Sequence, residues 1–400
     1  MSEPADKPTP HAASTAPGTS AHYEQLLAEA RSIRGVSLGR DAWRRLRRNY
    51  AAMASLSFLI LLTIAALLTP LWPLQAPRAV RADRAYLPPR EVKTADATDD
   101  PDNTQPTGWF EESADWINED GTLDAAAVDA GFGINADAHP VSWNLLRLRA
   151  SLFGRWQCSS WCGTDSLGRD LWARLFWGAR ISLTVGLVAG LVSLVIGVSY
   201  GATSGYLGGR TDAAMMRIVD VLYSIPFIFV VIMLITVLSD EKVKAYLLEH
   251  FGIENRITIF FFVVGAIYWL TMARVVRGQV LSLKQEQFVE AARTIGCSRP
   301  RIIFLHLVPN LLSVIIVYLT LTIPRVMLFE AFLSFLGLGV EAPDVSWGIL
   351  ANEGTQSLTP IKTYWWLVAF PGLALGTTLF SLNFLGDGLR DALDPRLKHR

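Results

Sequence analysis

Six stretches of this chain, at 51–74, 181–209, 221–239, 257–273, 302–324 and 363–386, contain no Asp, Glu, Lys or Arg and are dominated by apolar residues. A helix rises 1.5 Å per residue and the hydrocarbon of a bilayer is about 30 Å thick, so a span takes about 20 such residues, with about 17 as the lower limit. Core helices of soluble proteins are rarely this long and uncharged, because one face must meet water. The composition agrees: 51% of the 400 residues are hydrophobic and 18% charged, against roughly a quarter charged in soluble domains. The expected fold is an all-α integral membrane protein with six spans. Its first span begins near residue 50, too far along and too long for a cleaved signal peptide.

Formal net charge is zero, so the information lies in where the charges fall. Seven Arg precede the first span within 31–48, and Arg210 and Arg217 separate the second from the third. Six Lys or Arg lie within 274–301, and Arg390, Arg396, Lys398 and Arg400 follow the last span. Apart from Arg325, which directly abuts the fifth stretch, the intervening short loops hold only Lys242, Lys244, Arg256 and Lys362. With six spans, the positive-inside rule places both termini and the 274–301 loop in the cytoplasm. Residues 1–38, rich in Pro, Ala, Ser and Thr, read as a disordered leader. Residues 39–74 read as a surface helix leading into the first span, with Trp43, Leu46 and Tyr50 at helical spacing among Arg44, Arg45, Arg47 and Arg48. Then come a polar, acid-rich outer insertion at 75–170, a five-helix membrane core at 171–390 and a tail at 391–400.

Nothing in the chain marks a catalytic or metal site. No Lys follows a Gly, which excludes a phosphate-binding P-loop, and the six His lack zinc-protease spacing. Asn118, Asp120, Gly121 and Asp124 resemble part of a calcium loop, but Trp116 and Ala127 stand where the first and twelfth ligands belong. Cys158 and Cys162 share the outer insertion; a disulfide is the favoured reading, with two free thiols as the alternative. Cys297 reads as a small packing residue. Acids are absent from the second, third, fourth and sixth spans, and His306, Arg325 and Glu330 are the ionisable groups nearest membrane depth. A carrier driven by protons or sodium would be expected to hold acids there, so energy is expected to arrive from outside the chain.

The loop at 284–301 is where it would arrive. Helical spacing puts Phe288, Ala291, Ala292 and Ile295 on one face, with Glu290 and Arg293 beside it and Gly296 as a stop. Small Ala side chains let such a helix lie close against a second surface, and Glu290 could fix its register against a basic partner. The same pattern also suits a connector packed on its own bundle.

The sequence EAARTIG, Glu290 to Gly296, followed by Pro309, resembles the cytoplasmic EAA loop of binding-protein-dependent ABC importer permeases. His306 and Val308 depart from the broad pattern, where Ile and Leu are usual. GTDSLGRD at 163–170, LSFLGLG at 333–339, SWG at 346–348 and GDGLRDALDPR at 386–396 narrow the resemblance to the C-type subunit of the oligopeptide, dipeptide and nickel permeases. It covers about 40–73 and 163–396 and leaves the leader and most of the insertion unexplained. The resemblance implies the type I importer permease fold, in the inner membrane of a bacterium. It implies four kinds of partner: a second homologous permease chain, two ATP-binding subunits, an extracytoplasmic solute-binding protein and membrane lipid. Its substrate would be a peptide, with nickel or another small solute as the alternative. ATP and Mg would sit on the ATPase subunits and no cofactor in this chain, whose EAA loop (Phe288, Glu290, Ala291, Ala292, Gly296, Pro309) would be the coupling element. No nucleic acid is implied.

Overall fold

The computed structural model describes residues 38–89, 110–112, 114–158, 160–238, 240–251, 256–340 and 344–393. The leader, apart from Leu38, and the tail beyond 393 lie outside the described residues. Helix α1 (Leu38–Leu46) leads into α2 (Tyr50–Leu67) through Asn49, whose side chain accepts the Ala52 N–H at 3.2 Å and caps α2. Helix α2 is apolar on all sides, as a lipid-facing span requires, and a turn at Thr69–Leu71 carrying Pro70 ends it.

The insertion forms a small layer with its own core. It contains β1 (Phe110–Glu112), α3 (Ala125–Phe132), α4 (Pro140–Phe153) and β2 (Trp156–Cys158). The two strands pair antiparallel, with Glu111 opposite Gln157. The chain is mostly helical as expected, and this layer adds one short pairing: outside the membrane, two short extended segments can satisfy each other's backbone groups. Trp116, Ile117, Val128, Phe132, Ile134 and Leu146 form the core. The Arg149 guanidinium is buried in it, donating to the Leu74 carbonyl at 2.6 Å and lying 4.7 Å from the Trp116 ring centre. Burial pulls its pKa down to about 9. The calcium-like loop is a turn whose Asp120 accepts the Thr122 N–H, while Asp124 caps α3 through the Ala126 and Ala127 N–H groups. Its acids are engaged with the backbone, and no metal-binding cluster occurs among the described residues.

The membrane core is organised on α5 (Leu171–Leu207), whose 37 residues extend about 55 Å. There follow α6 (Gly209–Ser224), α7 (Phe227–Leu238), α8 (Glu241–Phe251), α9 (Arg256–Leu283) and α10 (Gln287–Thr294). After them come α11 (Leu312–Phe335), α12 (Trp347–Gln356) and α13 (Trp366–Leu393). Among the described residues, α2, α5, α11 and α13 are each long and apolar enough to cross a membrane, and the count becomes five if bent α6 and α7 form one span. The expected count of six is thus not reproduced. The segment 221–239 is broken: α6 and the 228–234 part of α7 meet at 87°. Pro226 disfavours helical backbone at Ile225, which is extended at φ −84°, ψ 128°. The segment 257–273 lies inside α9, which continues past Arg274 and Arg277. The fifth expected span is shifted: a π turn at Ile302–Leu307 precedes α11, which then runs through Pro324 to Phe335. Glu330, placed by the sequence beyond this span, is consequently within the helix.

Small residues on α5 let its neighbours approach. Gly197, Gly201 and Gly205 face α9, while Gly186 and Gly190 face Met327 and Ile323 of α11. The insertion, α12 and the start of α13 gather at the N-terminal end of α5, and α10 packs at its C-terminal end. The ends of α1 and α13 meet through Leu46, Ala52, Leu389 and Ala392. Helices α2 and α13 each run between these ends in opposite directions, so α1, α10 and the end of α13 share one side of the bundle and the insertion occupies the other.

A Cβ added at Gly197 would lie 2.6 Å from Met272 Cβ and 2.9 Å from the Trp269 carbonyl oxygen. Gly197→Leu is therefore expected to destabilise the purified chain by about 1–3 kcal/mol, read as a lower thermal midpoint in detergent. Gly376→Ala, with no heavy atom within 4 Å, should not lower the midpoint, since alanine is the better helix former.

Candidate functional site

Helix α10 stops where its sequence dictates. Gly296 takes φ +85°, its N–H donates to the Arg293 carbonyl at 2.9 Å, and the Cys297 N–H donates to the Ala292 carbonyl at 3.0 Å. This pair of bonds is a Schellman cap, which favours glycine at the left-handed position. The face expected from helical spacing is corrected. Val289 and Ala292 point inward and are buried with Ile302, Ile303 and Leu307, and half-buried Cys297 packs on the same cluster. Phe288, Glu290, Ala291 and Ile295 are exposed, Ile295 at 82%. Ala291 and Ala292 are thus divided between the free surface and the bundle. Glu290 has no ion pair among the described residues, whereas Arg293 lies 5.2 Å from the Tyr206 ring centre of α5.

The elements on either side of α10 are anchored differently. On the α9 side, Arg277 donates twice to Asp212, at 2.6 Å each, and Lys284 donates to the Gly205 carbonyl at 2.9 Å. These bonds hold the stem of the loop against α5 and α6. On the α11 side stands the π turn. Pro309 is exposed, supplies no N–H to the helix ladder and follows directly on this widened turn. Asn310 answers the disturbance by donating from its side-chain amide to the His306 carbonyl at 2.7 Å. Phe288, Glu290, Ala291 and Ala292 therefore belong to one short helix that Gly296 caps, and Pro309 to the interrupted join behind it.

At the opposite end of α5 the structure assembles a polar junction that single-sequence reasoning missed. Asp165 receives Arg169 Nε at 2.7 Å and the N–H groups of Leu167 and Arg169. Buried Arg174 pairs with both Asp165 and Glu353 of α12. Within the membrane part, Glu330 is fully buried, accepting from Ser334 at 2.7 Å and from Ser182 at 3.4 Å. Ser182 in turn accepts the Trp347 N–H at 3.3 Å. Three separate sequence segments thus meet here, and the motifs GTDSLGRD, LSFLGLG and SWG supply Asp165, Arg169, Ser334 and Trp347 to them.

Cys158 and Cys162 are separate buried thiols in this structure, not the favoured disulfide. Burial raises their pKa to about 11 and about 12, which keeps both protonated and unreactive. Nearby Asp170 caps α5 by accepting the Trp172 and Ala173 N–H groups at 3.2 and 3.0 Å, yet burial pushes its pKa up to about 7. The folded chain therefore retains a proton that the unfolded chain releases near pH 4. This contribution is present below about pH 4 and is lost as pH rises through 7. Asp170→Asn preserves a capping side chain and should flatten the decline in thermal midpoint between pH 4.5 and 7.5, measured in detergent beside the native chain.

The two faces of α10 also predict different failures. Ala292→Trp forces bulk into the cluster of Val289 and Ile302 and should lower the midpoint by an amount equivalent to about 1–3 kcal/mol. Ala291→Trp, on the exposed face, should leave it within about 0.5 kcal/mol.

Comparison with known proteins bears on what this architecture is. Residues 176–399 match the model of the binding-protein-dependent transport system inner membrane component, and residues 37–89 match the N-terminal membrane domain of oligopeptide transport permease C. The dipeptide transport system permease protein DppC of Bacillus subtilis is 37% identical over 372 residues, covering 92% of this chain and 90% of that protein. The oligopeptide transport system permease protein OppC of Haemophilus influenzae is 46% identical over 256 residues, covering 64% and 75%. OppC of Escherichia coli K12 is also 46% identical, over 234 residues, covering 58% and 72%. A chain of the inward-facing MetNI methionine ABC transporter aligns at 20% identity and a TM-score of 0.43, covering 56% of this chain and 97% of that one. With the family model covering more than half its length, the chain belongs to the binding-protein-dependent transport system inner membrane components, as a multi-pass membrane permease.

Proposed function

We infer that this chain is one of two permease subunits of an ATP-driven importer of dipeptides or oligopeptides. The single observation that carries the coupling role is the division of α10: Val289 and Ala292 fasten it to the bundle, leaving Phe288, Ala291, Ile295 and Glu290, which has no ion pair among the described residues, on an outward surface. An exposed apolar strip around this carboxylate, packed from behind on the bundle, suits a groove of a partner protein. In this reading the partner is one of two ATP-binding subunits, which hold ATP and Mg and perform the hydrolysis. The second homologous permease completes the path, and an extracytoplasmic binding protein delivers the peptide to the insertion side. The side bearing α1 and α10 is cytoplasmic, as the distribution of Lys and Arg favours. Peptide is preferred to nickel because the relatives above are named for dipeptide and oligopeptide transport.

Closure of the ATPases on ATP would push α10. Its hold on the π turn passes that displacement to α11, and its short link to α9 passes it to the Arg277–Asp212 pair and α5. The helices then exchange inward- and outward-facing arrangements.

The test uses the assembled importer in proteoliposomes, with ATPase recovery measured on the same preparations. Glu290→Lys and Ala291→Trp should each reduce peptide uptake about tenfold or more and weaken ATPase recovery, with membrane abundance and thermal midpoint unchanged. Removing one partner of a buried interfacial charge pair costs about 2–5 kcal/mol, and reversing the charge adds repulsion to that loss. Full uptake and normal recovery in both variants would leave α10 as a packed connector and remove the main support for this function.

A further inference from the structure

Helix α1 is fastened on one side only. Leu46 is buried against Leu389 and Ala392 of α13, next to Ala52. Away from this contact Arg40, Arg44, Arg47 and Arg48 are exposed, with no ion pair among the described residues. The acid of α1, Asp41, is engaged by Arg45 at 3.0 Å. The facing end of α13 carries Asp387, Arg390 and Asp391, also exposed and not paired with these four among the described residues. The result is a cluster of four uncompensated guanidinium groups at the head of α2.

Two aromatic residues belong to the same patch. Trp43 is 45% exposed with the Arg47 guanidinium 5.3 Å from its ring centre, and Tyr50, the first residue of α2, is 88% exposed. Trp and Tyr favour the level of lipid headgroups, and guanidinium pairs with phosphate through two parallel hydrogen bonds. Beyond them α2 presents Ile60, Leu61, Ile64 and Leu67, all exposed and apolar. From one end to the other the patch offers partners for a phosphate, an interfacial glycerol region and a hydrocarbon chain.

We propose that the α1–α2 corner is a binding site for an anionic phospholipid, with its headgroup phosphate on the Arg40, Arg44, Arg47 and Arg48 cluster and its acyl chains along α2. The site selects charge, since a zwitterionic headgroup brings a cation of its own toward the arginines. It selects lipid over free phosphate, since only a lipid also covers α2. Neither selection depends on what the protein transports.

The test is native mass spectrometry of the full chain in detergent, titrated separately with phosphatidylglycerol and phosphatidylcholine, with inorganic phosphate as competitor. Phosphatidylglycerol should be retained at least about tenfold better than phosphatidylcholine, in keeping with the attraction of several basic side chains to an anionic surface. The preference should vanish in the combined variant Arg40→Gln, Arg44→Gln, Arg47→Gln, Arg48→Gln. High salt should diminish it in the native chain, a readout independent of how that variant folds. Equal retention of the two lipids by the native chain, or a preference indifferent to salt, overturns the proposal. Displacement of phosphatidylglycerol by millimolar inorganic phosphate overturns it as well, leaving a simple anion site.

Discussion

Close approach of α5 to its neighbours is the contact on which the rest of this bundle depends. Inside hydrocarbon, apolar side chains gain nothing by leaving lipid for each other, so helices associate through tight packing and through polar groups brought within reach. Helix α5 provides two seams of glycine, one toward α9 and one toward α11. Because its backbone lies against both, the polar clasps at its two ends can close. Arg174 reaches Asp165 and Glu353 at the insertion end, while Arg277 reaches Asp212 at the other. Charged pairs so placed specify which helices meet, even where burial offsets much of their attraction.

This arrangement attaches α10 to the long helices of the bundle rather than leaving it on a loose loop. Its buried face rests on the turn that opens α11, and its N-terminal link joins the end of α9. The α9 side is clasped by Arg277 and Lys284, whereas the α11 side is interrupted by the π turn and Pro309. In the proposed coupling, a clasped join and an interrupted join on either side of one short helix would turn a push on its outer face into a change of angle.

Much of this was legible from residue types alone. Uncharged length announced the long helices because a membrane span must satisfy its backbone hydrogen bonds within itself. Gly296 announced the end of α10 because few residues other than glycine tolerate φ near +85°. The failures are equally physical. Apolar residues occur at 288, 289, 291 and 292, so an eight-residue helix offers two candidate apolar sides, and no local rule chooses between them. The break at Ile225 and Pro226 had its signal in the proline, but a uniformly apolar segment concealed it. Glu330 falls outside the expected span because the charge-free run stops at Arg325; the helix continues through it, with Pro324, Val326 and Met327 all buried.

By itself the sequence determined that the chain lives in a bilayer, that its charges favour one side, and that a short glycine-capped helix interrupts the core. These are consequences of hydration, backbone hydrogen bonding and φ preference, which act within a few residues of their cause. Only the tertiary structure decided that Ala292 faces inward while Ala291 faces out, and that Arg174, Asp165 and Glu353 form one junction. It also placed Glu330 among serines and gave the insertion a two-stranded pairing and a core of its own. Each of those outcomes depends on which distant surface arrives to exclude lipid or water from a side chain, and that is settled by packing across the whole fold.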